Sequence, residues 1–249
     1  MKVVIVMPAY YAEKTVKKTF EAIPKGSYDE IILVDDCSQD KTCKVAKSLG
    51  ISVVRHEKNK GYGGNQKTCY REALKRGADI IVLLHPDFQY DPTLVPEMTK
   101  PIKEGKADVV YGSRMLKKGW AKRGGMPWWK RMGNRMLTTY FNVFLGTHVT
   151  DAATGYIAYS RKVLETISFE KNSDGFTFDE EAILQIAACK FKMAEIPIPS
   201  RYEKESSSIS FIKSAKYGMS LFYKVLRYIL HQMHLWHYPL LKRKTSQHR

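Results

Sequence analysis

Ile31-Ile32-Leu33-Val34-Asp35-Asp36-Cys37-Ser38-Gln39-Asp40-Lys41-Thr42 is the stretch that decides the fold. A short apolar, largely β-branched run breaks off at two acids, and a helical pattern opens a few residues later, from Lys41 to Leu49. That is a strand whose carboxyl end feeds a helix. The same unit recurs on both sides of it. Strands are predicted near Val3 to Met7, Ser52 to Arg55, Ile80 to Leu84 and Val109 to Tyr111, with helices at Thr15 to Ala22, Gly64 to Arg76 and Thr93 to Lys103. Asp40 and Asp91 stand near first turns as caps. Alternation over the first 112 residues predicts an α/β fold with a largely parallel sheet, helices on both faces and ligands at the strand carboxyl ends.

Beyond Gly112 the alternation lapses into a basic segment with Gly and Trp, read as a loop plus one amphipathic helix ending by Gly146. A strand near Tyr156 to Ser160, a helix near Asp179 to Lys190 and a strand near Met193 to Ile198 follow, then a polar loop ending in Ser206-Ser207-Ser208. From Phe211 a final helix carries an apolar stripe at Ile212, Ala215, Met219, Phe222, Leu226, Ile229 and Met233. The expected division is a catalytic domain over 1–210 and an amphipathic helix with a basic tail over 211–249. Three readings of the stripe stand side by side: packing on the domain, lying in a membrane interface, or self-association into a homo-oligomer.

At 249 residues and 44% hydrophobic content the chain can bury one full core. No apolar run approaches the roughly 18 residues of a bilayer span, and the N-terminus enters a strand pattern directly, so neither a membrane span nor a signal peptide is expected. Cys37, Cys43, Cys69 and Cys189 have no CxxC pairing, which predicts reduced structural thiols in a cytosolic setting. The net charge of +16 is localised: Arg114 to Thr150 and Ser200 to Arg249 contribute +8 each, and both contain tryptophan. Cations interleaved with Trp and Tyr suit an anionic membrane interface. Nucleic acid and an ordinary solvated basic face compete with that reading.

The chemistry-bearing residues collect at strand ends. The first strand ends in Pro8-Ala9-Tyr10-Tyr11-Ala12-Glu13 and the second in Asp35-Asp36. Acids there can hydrogen-bond a nucleobase or ribose, or simply serve the following helix as caps and dipole partners. The fourth strand ends in Leu84-His85-Pro86-Asp87-Phe88-Gln89. On an extended chain His85, Asp87 and Gln89 project to one side and can converge on a divalent cation, the alternative being a strand-end histidine that is only hydrogen-bonded. Gly61-Tyr62-Gly63-Gly64 fits neither common phosphate-loop frame and is read as a tight turn entering a helix.

In order, these segments resemble the family 2 glycosyltransferases of the GT-A fold, and among them dolichol-phosphate mannosyltransferases and related polyprenyl-phosphate sugar synthases. The resemblance runs through Pro8, Tyr10 and Glu13, Val34 to Thr42, Asn59-Lys60-Gly61, Gly63-Gly64-Asn65, His85 to Gln89, Tyr111-Gly112-Ser113-Arg114, Asp151, Thr154-Gly155 and Glu195-Ile196-Pro197-Ile198. It covers roughly residues 3 to 210. It implies that Pro8, Tyr10, Glu13, Asp35, Asp36 and Lys60 line a pocket for a nucleotide-sugar such as GDP-mannose or a UDP-sugar. It implies a Mg²⁺ or Mn²⁺ site at His85, Asp87 and Gln89, with His85 standing where the family usually has an acid. Arg114, Arg131, Arg135 and Arg201 would then meet the phosphate of a polyprenyl (dolichyl or undecaprenyl) acceptor. The family's Gly-x-Ser-Lys loop has no counterpart after Arg201-Tyr202, which leaves a glycan or lipid-linked sugar hydroxyl open as acceptor.

A single in-line displacement of this kind inverts the anomeric carbon. A phosphate monoester with its second pKa near 6 is already a nucleophile, whereas a sugar hydroxyl needs a base. Asp179, Glu180 and Glu181 at the start of a helix are the base candidates, with Asp179 and Glu180 set beside Asp87 as catalytic residues, against the plainer reading of acids in a helix first turn. The expected location is cytoplasmic and peripheral, on the cytoplasmic face of a membrane, without a nucleic-acid partner. A non-catalytic nucleotide-sugar sensor and a nucleic-acid-binding protein are the readings from other classes.

Overall fold

The computed structural model describes residues 1–199 and 211–241, with side chains from 220 onward in the second range. Arg201, the Ser206-Ser207-Ser208 loop and the side chains of Ile212, Ala215 and Met219 lie outside the described residues.

Seven strands form one sheet: β1 (Val3–Ala9), β2 (Glu30–Asp35), β3 (Ser52–Arg55), β4 (Ile80–Leu83), β5 (Val109–Ser113), β6 (Ile157–Ser160) and β7 (Met193–Pro197). Their spatial order is β3-β2-β1-β4-β6-β5-β7. β1 pairs parallel with β2 and β4, β2 with β3, and β5 with β7. β6 is antiparallel to both β4 and β5. The chain leaves the sheet at Ser113, makes the basic excursion, and returns into the slot between β4 and β5. Mixed, mostly parallel pairing is therefore what the sequence predicted.

The helices are α1 (Val16–Glu21), α2 (Thr42–Ser48), α3 (Gly61–Lys75), α4 (Val95–Lys103), α5 (Trp120–Arg123), α6 (Trp128–Leu145), α7 (Arg161–Thr166), α8 (Phe178–Ala188) and α9 (Phe211–Gln232). Strand alternation sends Val4 and Val6 into one core with Tyr70, Phe141 and Phe178, and Val3, Ile5 and Met7 into the other with Val16, Val95 and Met98. Burial on both faces is why these strands read as unbroken apolar runs.

Three differences from expectation concern the helices, the first being that α7 was not predicted. The basic segment holds two helices rather than one, α5 and α6. In α9 the buried positions are Leu221, Val225 and Tyr228, which join the core under α6 and α8. Of the stripe read from sequence, Phe222 and Leu226 are exposed, as is Met233 just past the helix end, whereas Ile229 packs on the core. Two adjacent apolar rows run along this helix, and periodicity alone does not say which turns inward. Among the described residues no helix is long and apolar enough to cross a membrane.

Candidate active site

The loops leaving β1, β2 and β4 meet at the carboxyl edge of the sheet. Just past these three strand ends Tyr11 (φ 54), Cys37 (φ 68) and Phe88 (φ 59) adopt left-handed backbone, which non-glycine residues hold only where surroundings impose it. The first two loops are stitched together. Tyr11 N donates to Ser38 Oγ (2.9 Å), Ala12 N to Thr42 Oγ1 (2.8 Å), Glu13 N to Asp40 Oδ2 (3.2 Å) and Lys41 N to Glu13 Oε2 (2.9 Å). Glu13 thus braces one loop against the other. Pro8 is buried within β1, and Tyr10 stands exposed on the rim.

The two acids after β2 differ in what they do. Asp35 is fully buried; its Oδ2 accepts from Ser38 N (3.1 Å) and lies 3.5 Å from Arg55 Nε, while Oδ1 has no hydrogen bond among the described residues. Asp36 is fully engaged. Its Oδ1 is 2.7 Å from His56 Nδ1 and accepts from Lys60 N at 2.8 Å, and its Oδ2 accepts from Gly61 N at 3.0 Å. His56 Nε2 in turn sits 2.9 Å from Thr68 Oγ1. The carboxylate of Asp36 therefore pins the entrance of α3, and the Lys60 side chain is exposed beside it.

The reactive cluster lies where α3, the loop after β4 and the start of α8 converge. Tyr62 Oη donates to Asp179 Oδ2 at 2.7 Å and lies 3.4 Å from His85 Nε2, with the two rings stacked at 5.6 Å. Gln66 Nε2 adds a 3.4 Å contact to Asp179, and the Phe176 ring lies 5.3 Å from that of Tyr62. Burial pushes Asp179 up to about 6 against these donated hydrogen bonds. Glu180 is driven well above the usual carboxylate range, first by burial and then by Asp179. Burial lowers His85, opposed by the Asp87 charge. Asp179 Oδ1 and Glu180 Oε2 have no hydrogen bond among the described residues. Buried, neutral-leaning acids of this kind go beyond ordinary first-turn acids of a helix.

The alternation that placed His85, Asp87 and Gln89 on one side of an extended chain does not hold. β4 ends at Leu83, and Asp87 Oδ1 accepts from Gln89 N at 3.0 Å, closing a turn around the left-handed Phe88. His85 and Asp87 still sense one another electrostatically. Among the described residues no three His, Cys, Asp or Glu side chains form a metal cage.

The predicted acceptor arginines also separate. Arg114 is buried in a two-pronged pair with Asp151, Nε to Oδ2 at 2.7 Å and Nη2 to Oδ1 at 2.8 Å, and Nη2 also donates to Ala153 O at 2.7 Å. Asn134 of α6 donates to the same Asp151 at 2.7 Å. With its fork so engaged, Arg114 shapes the turn before β6, a different task from the phosphate contact expected of it. Glu195 completes that turn by accepting from Thr150 N at 2.8 Å. Arg131 donates to Met126 O at 2.7 Å, and Arg135 is exposed one helical turn further on.

The glycine cluster behaves as a turn entering a helix: Gly61 has φ 81 and opens α3. Its neighbour explains the next glycine, since a Cβ on Gly63 would lie 2.2 Å from Ser173 O. Gly63 N donates to Asp174 O at 2.8 Å, so the 173–178 loop packs directly on the helix start. Sequence reasoning missed Tyr62, Gln66 and His56. The available signal for Tyr62 was a large aromatic set among glycines at a helix entrance; His56 had none.

A sheet of this order, with acid-bearing loops at its carboxyl edge and raised carboxylates beside a His-x-Asp turn, defines a glycosyltransferase of the GT-A type. The chain belongs to glycosyl transferase family 2, whose pattern matches residues 4–168. It is 34% identical over 207 residues to an uncharacterized protein of Methanocaldococcus jannaschii, covering 83% of this chain and 84% of that one. It is 29% identical over 239 residues to the UDP-N-acetylglucosamine–dolichyl-phosphate N-acetylglucosaminyltransferase of Methanococcus voltae, covering 89% and 94%. Among solved structures, glucosyl-3-phosphoglycerate synthase of Mycobacterium tuberculosis in complex with Mn²⁺, uridine diphosphate and glucosyl-3-phosphoglycerate shares the fold. The TM-score is 0.65 at 18% identity, over 95% of this chain and 81% of that one.

Proposed function

We propose that this glycosyltransferase moves a sugar from a nucleoside-diphosphate donor to a polyprenyl phosphate, with inversion, at a membrane surface. The observation that carries the transfer site is the convergence of His85, Tyr62 and Asp179 at the carboxyl edge of the sheet. The acceptor is supported by the Methanococcus voltae relative, whose name specifies dolichyl phosphate. The donor pocket is assigned to the rim at Tyr10 and Lys60, with Pro8 and Asp35 buried behind it, and Glu13 and Asp36 hold that rim in shape.

The residues present fit a divalent cation. Burial favours the neutral imidazole of His85, the form with a lone pair to give, and Asp87 supplies a carboxylate. Among the described residues no full metal cage is present, so His85 and Asp87 would hold the cation only together with the donor's phosphates. When bound, the cation offsets charge growing on the departing diphosphate. Tyr62 orients Asp179 by its hydrogen bond, and Phe176 screens Tyr62 from water.

A second reading has its own support. An aspartate pushed up to about 6 is matched to general-base work, which a sugar hydroxyl requires and a phosphate does not. The two acceptors separate in one assay: protein, a panel of UDP- and GDP-sugars, Mn²⁺ or Mg²⁺, and either polyprenyl phosphate or a lipid-linked sugar. Label entering organic solvent from polyprenyl phosphate, with Asp179→Asn losing less than about 10-fold, supports the phosphate acceptor. Transfer only to the hydroxyl acceptor, with a loss of roughly 100-fold or more in Asp179→Asn, replaces it.

A further inference from the structure

α6 presents two opposed faces. Asn134, Thr138, Phe141 and Leu145 are buried against the domain. At about 100° per residue the opposite face carries Trp128, Met132, Met136, Thr139 and Val143, with no charged side chain among them. Trp128 is 66%, Met136 67% and Val143 68% exposed. Free helical surface is ordinarily polar, so an outward stripe of large apolar side chains calls for a partner.

The stripe does not stop at the edge of α6. Phe144 meets Tyr140 edge-on at 4.8 Å, and Tyr140 stacks on Phe222 of α9 at 5.5 Å while donating to its carbonyl at 3.3 Å. Phe222 is itself 60% exposed, and Leu226 on α9 and Met233 just past its end are exposed as well. Two helices thus share one apolar platform. The segments that carry it are cationic: Lys117, Lys118, Lys122 and Arg123 in the stretch leading into α6 and Arg135 on α6 are exposed, and neither 114–150 nor 206–241 contains a single Asp or Glu.

We propose that the outward faces of α6 and α9 dock on an anionic lipid bilayer. Charge selects this occupant. A second copy of the chain meeting the same face about a two-fold axis would set cations against cations with no acid to answer them. A bilayer supplies both complements, with phosphates for the lysines and arginines and acyl chains for the Trp, Met and Val side chains. The purpose of this surface rests on the lipid-acceptor reading, although its evidence does not.

The test uses the full chain and vesicles of phosphatidylcholine with phosphatidylglycerol, free of polyprenyl phosphate. The protein is expected to float with them, less so as salt rises, and bilayers with brominated acyl chains should quench its tryptophan emission, a signal reduced in Trp128→Phe. Combining Met132→Glu, Met136→Glu and Val143→Glu should weaken binding about 100-fold, since three apolar side chains lose their acyl contacts. Circular dichroism should be unchanged because all three sites are exposed. Transfer to a water-soluble short-chain polyprenyl phosphate should persist in this variant; loss of transfer in the wild type with flotation intact would sink the acceptor reading alone. The docking surface is overturned if the wild type ignores anionic vesicles or the triple variant binds them equally well. It is equally overturned if light scattering shows a dimer that the triple variant dissociates, or if the same substitutions abolish oligonucleotide binding and leave flotation intact.

Discussion

Asp179→Asn should make this protein more stable at neutral pH while impairing it as an enzyme. Burial holds Asp179 at about 6 against an ordinary 3.8. Between those two values the folded chain keeps a proton that the unfolded chain has released, so stability falls as pH rises through that window and the whole penalty stands above it. A shift of about 2 units at roughly 1.4 kcal/mol each makes that penalty about 3 kcal/mol. Asparagine abolishes it and still offers an oxygen to Tyr62 Oη. Glu180 adds to the effect with the same sign, because the Asp179 charge is one of the causes holding it high. Allowing for imperfect amide placement, the expected gain is about 1–3 kcal/mol at about pH 7.5, or roughly 3–10 °C in Tm for a chain of this length. At about pH 4, where the native aspartate is neutral, the gain should nearly vanish. Thermal unfolding of both proteins across that range reads it directly. A gain independent of pH, or a loss at pH above about 7, would refute the assignment of a buried, strained carboxylate.

Four further outcomes follow from the same geometry. Tyr62→Phe removes a hydrogen bond that favours ionised Asp179, so any rate limb set by that group should move up by about one pH unit; an unmoved limb in the pH–rate profile counts against the Tyr62–Asp179 contact. His56→Ala breaks a buried pair and leaves Asp36 one donor short, costing about 3 kcal/mol in urea unfolding, and a cost under about 1 kcal/mol would make the pair ornamental. Asp87→Ala should abolish sugar transfer and Mn²⁺ binding by calorimetry at a stability cost of only about 1 kcal/mol, because what the carboxylate holds among the described residues is the turn at Gln89 N. Gly63→Ala should cost more than about 3 kcal/mol by driving a methyl into Ser173 O, whereas Gly133→Ala, with nothing within 4 Å, should be neutral or stabilising by about 1 kcal/mol; equal effects would refute the packing of the 173–178 loop.

Much of the sheet was legible because burial on both faces writes itself as continuous apolar runs, as in Val3–Ala9 and Ile80–Leu83. The insertion of β6 between β4 and β5 was not, since strand order depends on a long-range return and no local pattern encodes it. α7, Arg161–Thr166, is too short to show a period and begins directly at the end of β6. At the site, residue types and their place at strand ends were readable, and partners were not. Asp36 looked like a ribose ligand until His56, 20 residues on, proved to hold it. Arg114 looked like a phosphate ligand until Asp151 took both prongs of its fork. Such pairings are tertiary facts: an isolated motif displays its donors and acceptors without showing which are already used.

The histidine at position 85 makes sense through Tyr62. A tyrosine hydroxyl has one proton, and with Asp179 ionised that proton lies in the 2.7 Å bond to Oδ2. The 3.4 Å contact to His85 Nε2 can then run only the other way, from Nε2–H to Oη, and the neutral tautomer consistent with it has its lone pair on Nδ1. Gly155 permits the approach, since a Cβ there would come within 3.1 Å of Nε2. A neutral ligand brings no charge to a cation, so a cation held by His85 and Asp87 would be favoured as the softer Mn²⁺ over Mg²⁺ more than one held by two carboxylates. One hydroxyl thus links the group that would face the diphosphate to the group that would face the acceptor, and its own position depends on the buried Asp36 clamp at the entrance of α3.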